Sequence, residues 1–177
     1  TTPRDMETDE DVKIVIYILA ESVAARLREN GFRCRTVEIS VRDKDLFHFS
    51  KQMKLENASN ITREIAEAGY RLYKGNYKLP ADETEARSAE RSFYQSPLRS
   101  IGIRGTDLVT DNFWEQLDLF TDPRIREKQM QMDMAVDTIR KRFGFYSIQR
   151  GLMYQDTILS ACDAKADHTV HPHGYFG

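Results

Sequence analysis

The repeat length of the apolar residues changes once, abruptly, near residue 31, and that change constrains the fold more than any other feature of the chain. Before it, Val12, Ile16, Leu19, Val23 and Leu27 recur at helical spacing. Thr8-Asp9-Glu10-Asp11 supplies a polar cap with acids in the first turn, and Asn30-Gly31 supplies a stop, so a helix is predicted over roughly 9 to 30. After it the period is two. Val37, Ile39 and Val41 alternate with Thr36, Glu38, Ser40 and Arg42, and Asp43-Lys44-Asp45 reads as a hairpin turn. Phe47, Phe49, Met53 and Leu55 then alternate with His48, Ser50, Gln52 and Lys54, giving a second strand. Lys51 falls on the apolar parity, which predicts a bulge or a sheet edge there.

Asn60 is the expected cap of a second helix whose Ile61, Ile65, Ala68 and Leu72 share a face, with Gly75 ending it. Residues 76 to 97, with Pro80, Pro97 and an acidic, Ala-rich middle, form a long excursion. Leu98 to Thr106 is strand-like, with Ile101 and Ile103 on one parity. Helix-strand-strand-helix-strand, with a short strand at Thr1-Thr2, predicts an α+β fold. It is split βαβ-like: a four-stranded antiparallel sheet with two helices on one face, followed by a C-terminal helical extension. In that extension Pro123 begins a helix with Met132, Val136, Ile139 and Phe143 on one side; Gly144 ends it, and a loosely structured tail follows from 154. The expected division is 1–110 for the sheet domain, 111–122 for a linker and 123–177 for the extension and flexible tail.

Composition removes whole classes of function. With 26 Lys+Arg against 28 Asp+Glu the chain is no histone-like polycation. Cys34 and Cys162 are too few for a disulfide scaffold or a Cys-rich zinc site, which suits a reducing, cytoplasmic setting. No apolar run approaches the ~20 residues of a membrane span.

If helices cover one face of the sheet, parity assigns Thr36, Glu38, Ser40, Arg42, His48, Ser50, Gln52, Lys54, Ser100, Gly102 and Arg104 to the other. That face is small, polar and free of aromatics, so it is no base-stacking platform of the RNA-recognition kind. Positive charge concentrates on the sheet: Gly31 to Lys54 holds six basic and three acidic residues, whereas Thr1 to Glu29 has seven acids and four bases. Small side chains let a nucleic acid backbone approach, and Arg and Lys add Coulomb attraction, a combination suited to sequence-independent phosphate binding. A merely solvated sheet face fits the same pattern. In the linker, Gln116-Leu117-Asp118-Leu119-Phe120 has a register-setting amide and two apolar anchors for a preformed pocket; a linker folding its own Leu and Phe back onto the domain also accounts for it. His168, His171 and His173 are too loosely spaced for a metal site, and Met130, Met132 and Met134 read as helix packing or an adaptable contact surface.

Thr36 to Arg42, Ser50 to Leu55, the helix start Asn60 to Ile65, Leu98 to Arg104 and the peptide Gln116 to Phe120, in this order, resemble the little-finger domain and C-terminal extension of a bacterial Y-family translesion DNA polymerase of the DNA polymerase IV type. The resemblance implies that Ser40, Arg42, Ser50, Lys51, Lys54, Arg99, Ser100 and Arg104 face a primer-template duplex; parity reaches most of these independently, but Lys51 and Arg99 rest on the resemblance alone. It also implies that Gln116, Leu117, Leu119 and Phe120 dock on the bacterial sliding clamp. The family's metal-binding carboxylates lie in a palm domain that this stretch does not resemble. No cofactor is therefore expected here, Mg²⁺ belongs to that palm, and this segment by itself should not polymerise DNA. A monomer without membrane contact is the expected state. Two rivals remain: a free-standing nucleic-acid-binding or adaptor module of the same fold, and a small acid-base enzyme using His48 and Glu38.

Overall fold

The computed structural model describes residues 2–79, 96–111 and 123–161. Helix α1 (Asp9–Glu29) starts where the sequence places it. The Thr8 hydroxyl accepts from the Asp11 N–H at 3.1 Å, and the Asp11 carboxylate accepts from Thr8 N and Glu7 N, a reciprocal cap. Burial pushes the Asp11 carboxyl up, but two bonds from Arg4 and the backbone donors outweigh it and hold the group below the usual carboxylate range. The chain leaves the helix through Gly31 at φ +69°.

Strands β1 (Phe32–Asp43), β2 (His48–Ser59) and β3 (Leu98–Thr110) form an antiparallel sheet in the order β2-β1-β3. Val37, Ile39 and Val41 on the central strand are buried beneath α1 and α2 (Thr62–Asn76). Helix α2 sits close to the sheet because Gly69 has no side chain: a Cβ there would lie 3.2 Å from Ile103 Cδ1. Strand β2 is an edge, as its Lys51 implies, but the ladder runs unbroken through the Ile39–Lys51 pair. The irregularity lies further along, between Cys34 and Thr36 opposite Ser59 and Lys54.

The sheet has three strands among the described residues, not four. In place of a strand at Thr1-Thr2 there is one isolated bridge, Met6 to Leu98, with backbone bonds of 2.8 and 2.9 Å. Pro3 has no N–H to give a ladder, the Thr2 hydroxyl donates to Arg4 O at 2.7 Å and turns the chain, and Thr8 already caps α1. A second correction concerns α2. Its N-cap position is Ile61, without a side-chain bond, and the helix runs one residue past Gly75. Asn60 is diverted: its amide donates to Phe32 O and Asp111 Oδ1. The cap comes from 71 residues away, where the Asp133 carboxylate accepts the Thr62 N–H at 2.7 Å.

Asp133 belongs to α3 (Pro123–Phe143), which lies on the helical side of the sheet. The apolar stripe is only partly covered: Val136 and Ile139 are half-buried, but Met132 is 49% and Phe143 66% exposed, whereas Asp133 is 3% exposed. The docking side is instead polar. Asp133 and Asp137 bind Arg28, Arg140 binds Glu21, and Arg126 binds Glu64. These residues recur at helical spacing on a stripe about a quarter-turn from the apolar one. Arg150 then bridges Glu21 and Asp133. Gly144, at φ +95°, ends α3 as expected, and three short 3₁₀ turns follow at Phe145–Ser147, Gly151–Gln155 and Leu159–Ala161. Met153 and Leu159 join the same core as Ile14 and Ile18 of α1, so chain expected to be loose tail is packed at least to Leu159. Helix α1 thus has two buried sides. No helix among the described residues is long and apolar enough to cross a membrane.

Candidate nucleic-acid interface

The pairing register lays the uncovered face out as four transverse rows. From the hairpin inward they are His48–Arg42–Ser100, Ser50–Ser40–Gly102, Gln52–Glu38–Arg104 and Lys54–Thr36–Thr106. Successive rows are ~6.6 Å apart, two residues of extended chain. Ser40, Arg42, His48, Ser50, Gln52, Lys54 and Arg104 are exposed, and no Phe, Tyr or Trp stands in the rows. The face is flat for a stated reason: a Cβ on Gly102 would lie 2.6 Å from Ser40 Oγ, so only glycine lets the serine hydroxyl occupy that spot. Near the hairpin the surface dips into a shallow depression of about 640 Å³ lined by Ser40, Arg42, Leu46, His48 and Ser100, with Val41 and Phe49 beneath.

The charges on this face are loosely held. Arg104 Nη1 stands 4.0 Å from Glu38 Oε1, its side chain 72% exposed, a weak surface pair that leaves the guanidinium able to reach a ligand. Arg42 and Lys54 make no ion pair among the described residues, so their charges project to solvent. Two residues named by resemblance sit elsewhere. Lys51 pairs with Ile39 and so points to the helical side, exposed at the sheet edge. Arg99 lies at a register irregularity, opposite the step from Arg42 to Asp43, and binds Asp5 at 3.0 Å. Gln116, Leu117, Leu119, Phe120 and the three C-terminal histidines lie outside the described residues.

The acid-base pair does not assemble. His48 stands opposite Arg42, four residues along β1 from Glu38 and ~13 Å away, and the depression that His48 lines excludes Glu38. No group of three His, Cys, Asp or Glu suited to a metal ion occurs among the described residues. The one described cysteine, Cys34, is buried, and burial pushes its thiol up to about 11, so it is no nucleophile.

Two features escaped the sequence reading. The second buried side of α1 was available as a signal, since Ile14, Ile18, Glu21 and Arg28 share a stripe opposite Val12 and Ile16. The hairpin tip was not: Leu46 takes φ +70°, which nothing in Asp43-Lys44-Asp45 announces.

Fold and face together define an open-faced α+β domain, helices on one side and a flat cationic surface on the other. The chain belongs to the impB/mucB/samB family, whose C-terminal domain model matches residues 1–119. It is similar to DNA polymerase IV of Acetivibrio thermocellus, 37% identical over 156 residues that cover 88% of this chain and 35% of that protein. DNA polymerase IV 2 of Bacillus subtilis is 32% identical over 155 residues, covering 85% of this chain and 32% of the relative. DNA polymerase IV 2 of Halalkalibacterium halodurans is 30% identical over 168 residues, covering 93% and 35%. The chain therefore spans about a third of the length of the curated relatives it matches. Because the family model stops at residue 119 while the first match covers 88% of the chain, part of the extension is shared with that polymerase.

Proposed function

We propose that this chain is the DNA-holding and clamp-docking part of a cytoplasmic translesion DNA polymerase, working as a monomer in damage tolerance. The uncovered sheet face grips the sugar-phosphate backbone of the primer-template duplex without reading its sequence. Ser40, Ser50 and Ser100 offer hydroxyl donors, and Arg42, Lys54 and Arg104 supply charge. Lys51 and Arg99, off the face, would meet phosphates at its margins. Gln116, Leu117, Leu119 and Phe120 tether the enzyme to the sliding clamp and so raise its concentration at the primer end. Phosphoryl transfer and its Mg²⁺ belong to a palm domain outside this chain.

The observation that carries this reading is the register-aligned face without Phe, Tyr or Trp, on which Arg42 and Lys54 project without ion pairs among the described residues. The relatives are DNA polymerases about two and a half times as long as this chain, which favours a polymerase part over a free-standing adaptor. The test is a salt titration of duplex affinity. Each phosphate neutralised contributes about 0.9 to the slope of log affinity against log salt, so replacing Arg42 and Arg104 together by Ala should make that slope shallower by about 2. Two duplexes of unrelated sequence should bind alike. An unchanged slope in the double variant would remove the phosphate-gripping face from the account.

A further inference from the structure

The tip of the β1–β2 hairpin carries a residue whose conformation and surroundings both work against it. Leu46 is 71% exposed and sits at φ +70°, a region that glycine and asparagine enter easily and leucine does not. The turn that imposes this conformation is tightly specified. The Asp43 carboxylate accepts from Asp45 N at 2.9 Å and Phe47 N at 3.0 Å, Leu46 N donates to Asp43 O, and Lys44 N donates to Pro97 O. Phe47 and Phe49 anchor the strand behind it, Phe49 stacking on Tyr77 at 6.1 Å. A single exposed leucine is unremarkable on a protein surface. An exposed leucine held in the left-handed region by a rigid turn, at the rim of a depression shared with Ser40, Arg42, His48 and Ser100, is a different matter.

We infer that Leu46 is an apolar contact to the DNA backbone, packing on the carbon face of a deoxyribose while Arg42, His48, Ser40 and Ser100 take the adjoining phosphate. The inference rests on the duplex-holding reading and adds to it a contact that salt does not screen. Charge selects this occupant: the polar groups that line the depression with Leu46 are a cation, an imidazole and two hydroxyls, complementary to a phosphate, while the acids of the turn itself lie outside that lining, Asp43 bound by the Asp45 and Phe47 N–H groups and Asp45 by the Ser96 hydroxyl. A sugar-phosphate strand presents an anion and an apolar ring face side by side.

The experiment compares Leu46→Asn and Leu46→Met with the parent in thermal unfolding and in duplex binding across a salt series. Asparagine tolerates the left-handed conformation but lacks the apolar surface, so Leu46→Asn should unfold at the same temperature or higher. Its duplex affinity should fall about tenfold, by the same factor at every salt concentration, with the salt slope unchanged. Leu46→Met keeps apolar surface and should bind within about twofold of the parent. An Asn variant that binds as tightly as the parent overturns the inference and leaves the phosphate grip intact. So does a loss accompanied by a shallower slope, since Leu46 would then act only by placing the cations. A parent chain without salt-dependent duplex affinity would overturn the duplex-holding reading itself, and this inference with it.

Discussion

Replacing Asp133 by Ala should destabilise the whole domain by an amount the geometry allows to be worked out. The carboxylate is 4% exposed and accepts from three donors: Thr62 N at 2.7 Å, Arg28 at 3.3 Å and Arg150 at 3.3 Å. Loss of the cap on α2 costs about 1 kcal/mol. Breaking a buried ion pair from one side costs about 3–5 kcal/mol when the remaining charge is stranded. Neither arginine is wholly stranded here, because Arg28 keeps Asp137 at 2.7 Å and the carbonyl of Asn60 at 2.6 Å, and Arg150 keeps Glu21 at 2.7 Å. The total therefore belongs near the lower bound, about 3 kcal/mol, or a fall in Tm of about 6–12 °C for a chain of this size. Asp133→Asn retains an acceptor for Thr62 and should lose roughly half as much. Thermal unfolding by circular dichroism measures both, and amide exchange at Thr62 reports the cap directly. A Tm within about 2 °C of the parent for the Ala variant would show that α3 does not dock as described, because an undocked extension leaves Asp133 in water where its loss costs little.

Two further outcomes can be stated. Leu119→Ala with Phe120→Ala should abolish binding to the sliding clamp, measured by surface plasmon resonance, and leave duplex affinity unchanged; retained clamp binding would make the peptide a structural linker. The acid limb of stability should be set partly by Asp11 and Asp156. Both carboxyls lie below their ordinary value of 3.8, Asp156 through its bond from Arg4 and Asp11 through Arg4 and the backbone donors despite burial. Because folding lowers these values, the stabilisation is complete above about pH 5 and disappears as pH falls through the lowered values, so Tm should be flat near neutrality and drop in acid. Asp156→Asn should make that drop shallower, and an acid limb of identical steepness in the variant counts against the assignment.

How much could be read in advance depended on whether the partners were local. The cap of α1 lies within four residues, Thr8 to Asp11, and its chemistry is legible as written. The alternation of Val37, Ile39 and Val41 against Glu38, Ser40 and Arg42 is equally local, and it places the uncovered rows. The second helix failed as a local inference: Asn60 has the right chemistry for a cap, but nearby Phe32 O and Asp111 claim its amide, while a distant aspartate does the capping. The packing side of α3 failed for a related reason. Hydrophobic periodicity finds apolar stripes, and this helix docks through charges whose partners, Glu21, Arg28 and Glu64, lie in other elements. Leu46 could not be read at all, because its left-handed conformation follows from backbone bonds to Asp43 rather than from its own side chain.

That polar docking also bears on how a chain of formal charge −2 can present a cationic surface. On the helical side acids and bases are matched against each other: Arg4 with Asp11 and Asp156, Arg28 with Asp133 and Asp137, Arg126 with Glu64, Arg140 and Arg150 with Glu21. Five arginines and six carboxylates are engaged there, so little of that charge is left to act at a distance. Across the sheet the count runs the other way, with Arg42, Lys54 and Arg104 facing Glu38 alone in the four rows. Net charge is the wrong quantity for judging such a domain; what governs its field is which charges the fold has already paired. Detaching the extension would unpair Glu21 and Glu64 on one side and Arg28 on the other, and take Asp156 from Arg4, adding nearly as much positive as negative charge on the far side. Such a change should hardly alter the potential over the rows, and the docking of α3 and the proposed grip on a phosphate backbone are therefore separable, joined mechanically through α1 and α2 but not electrostatically.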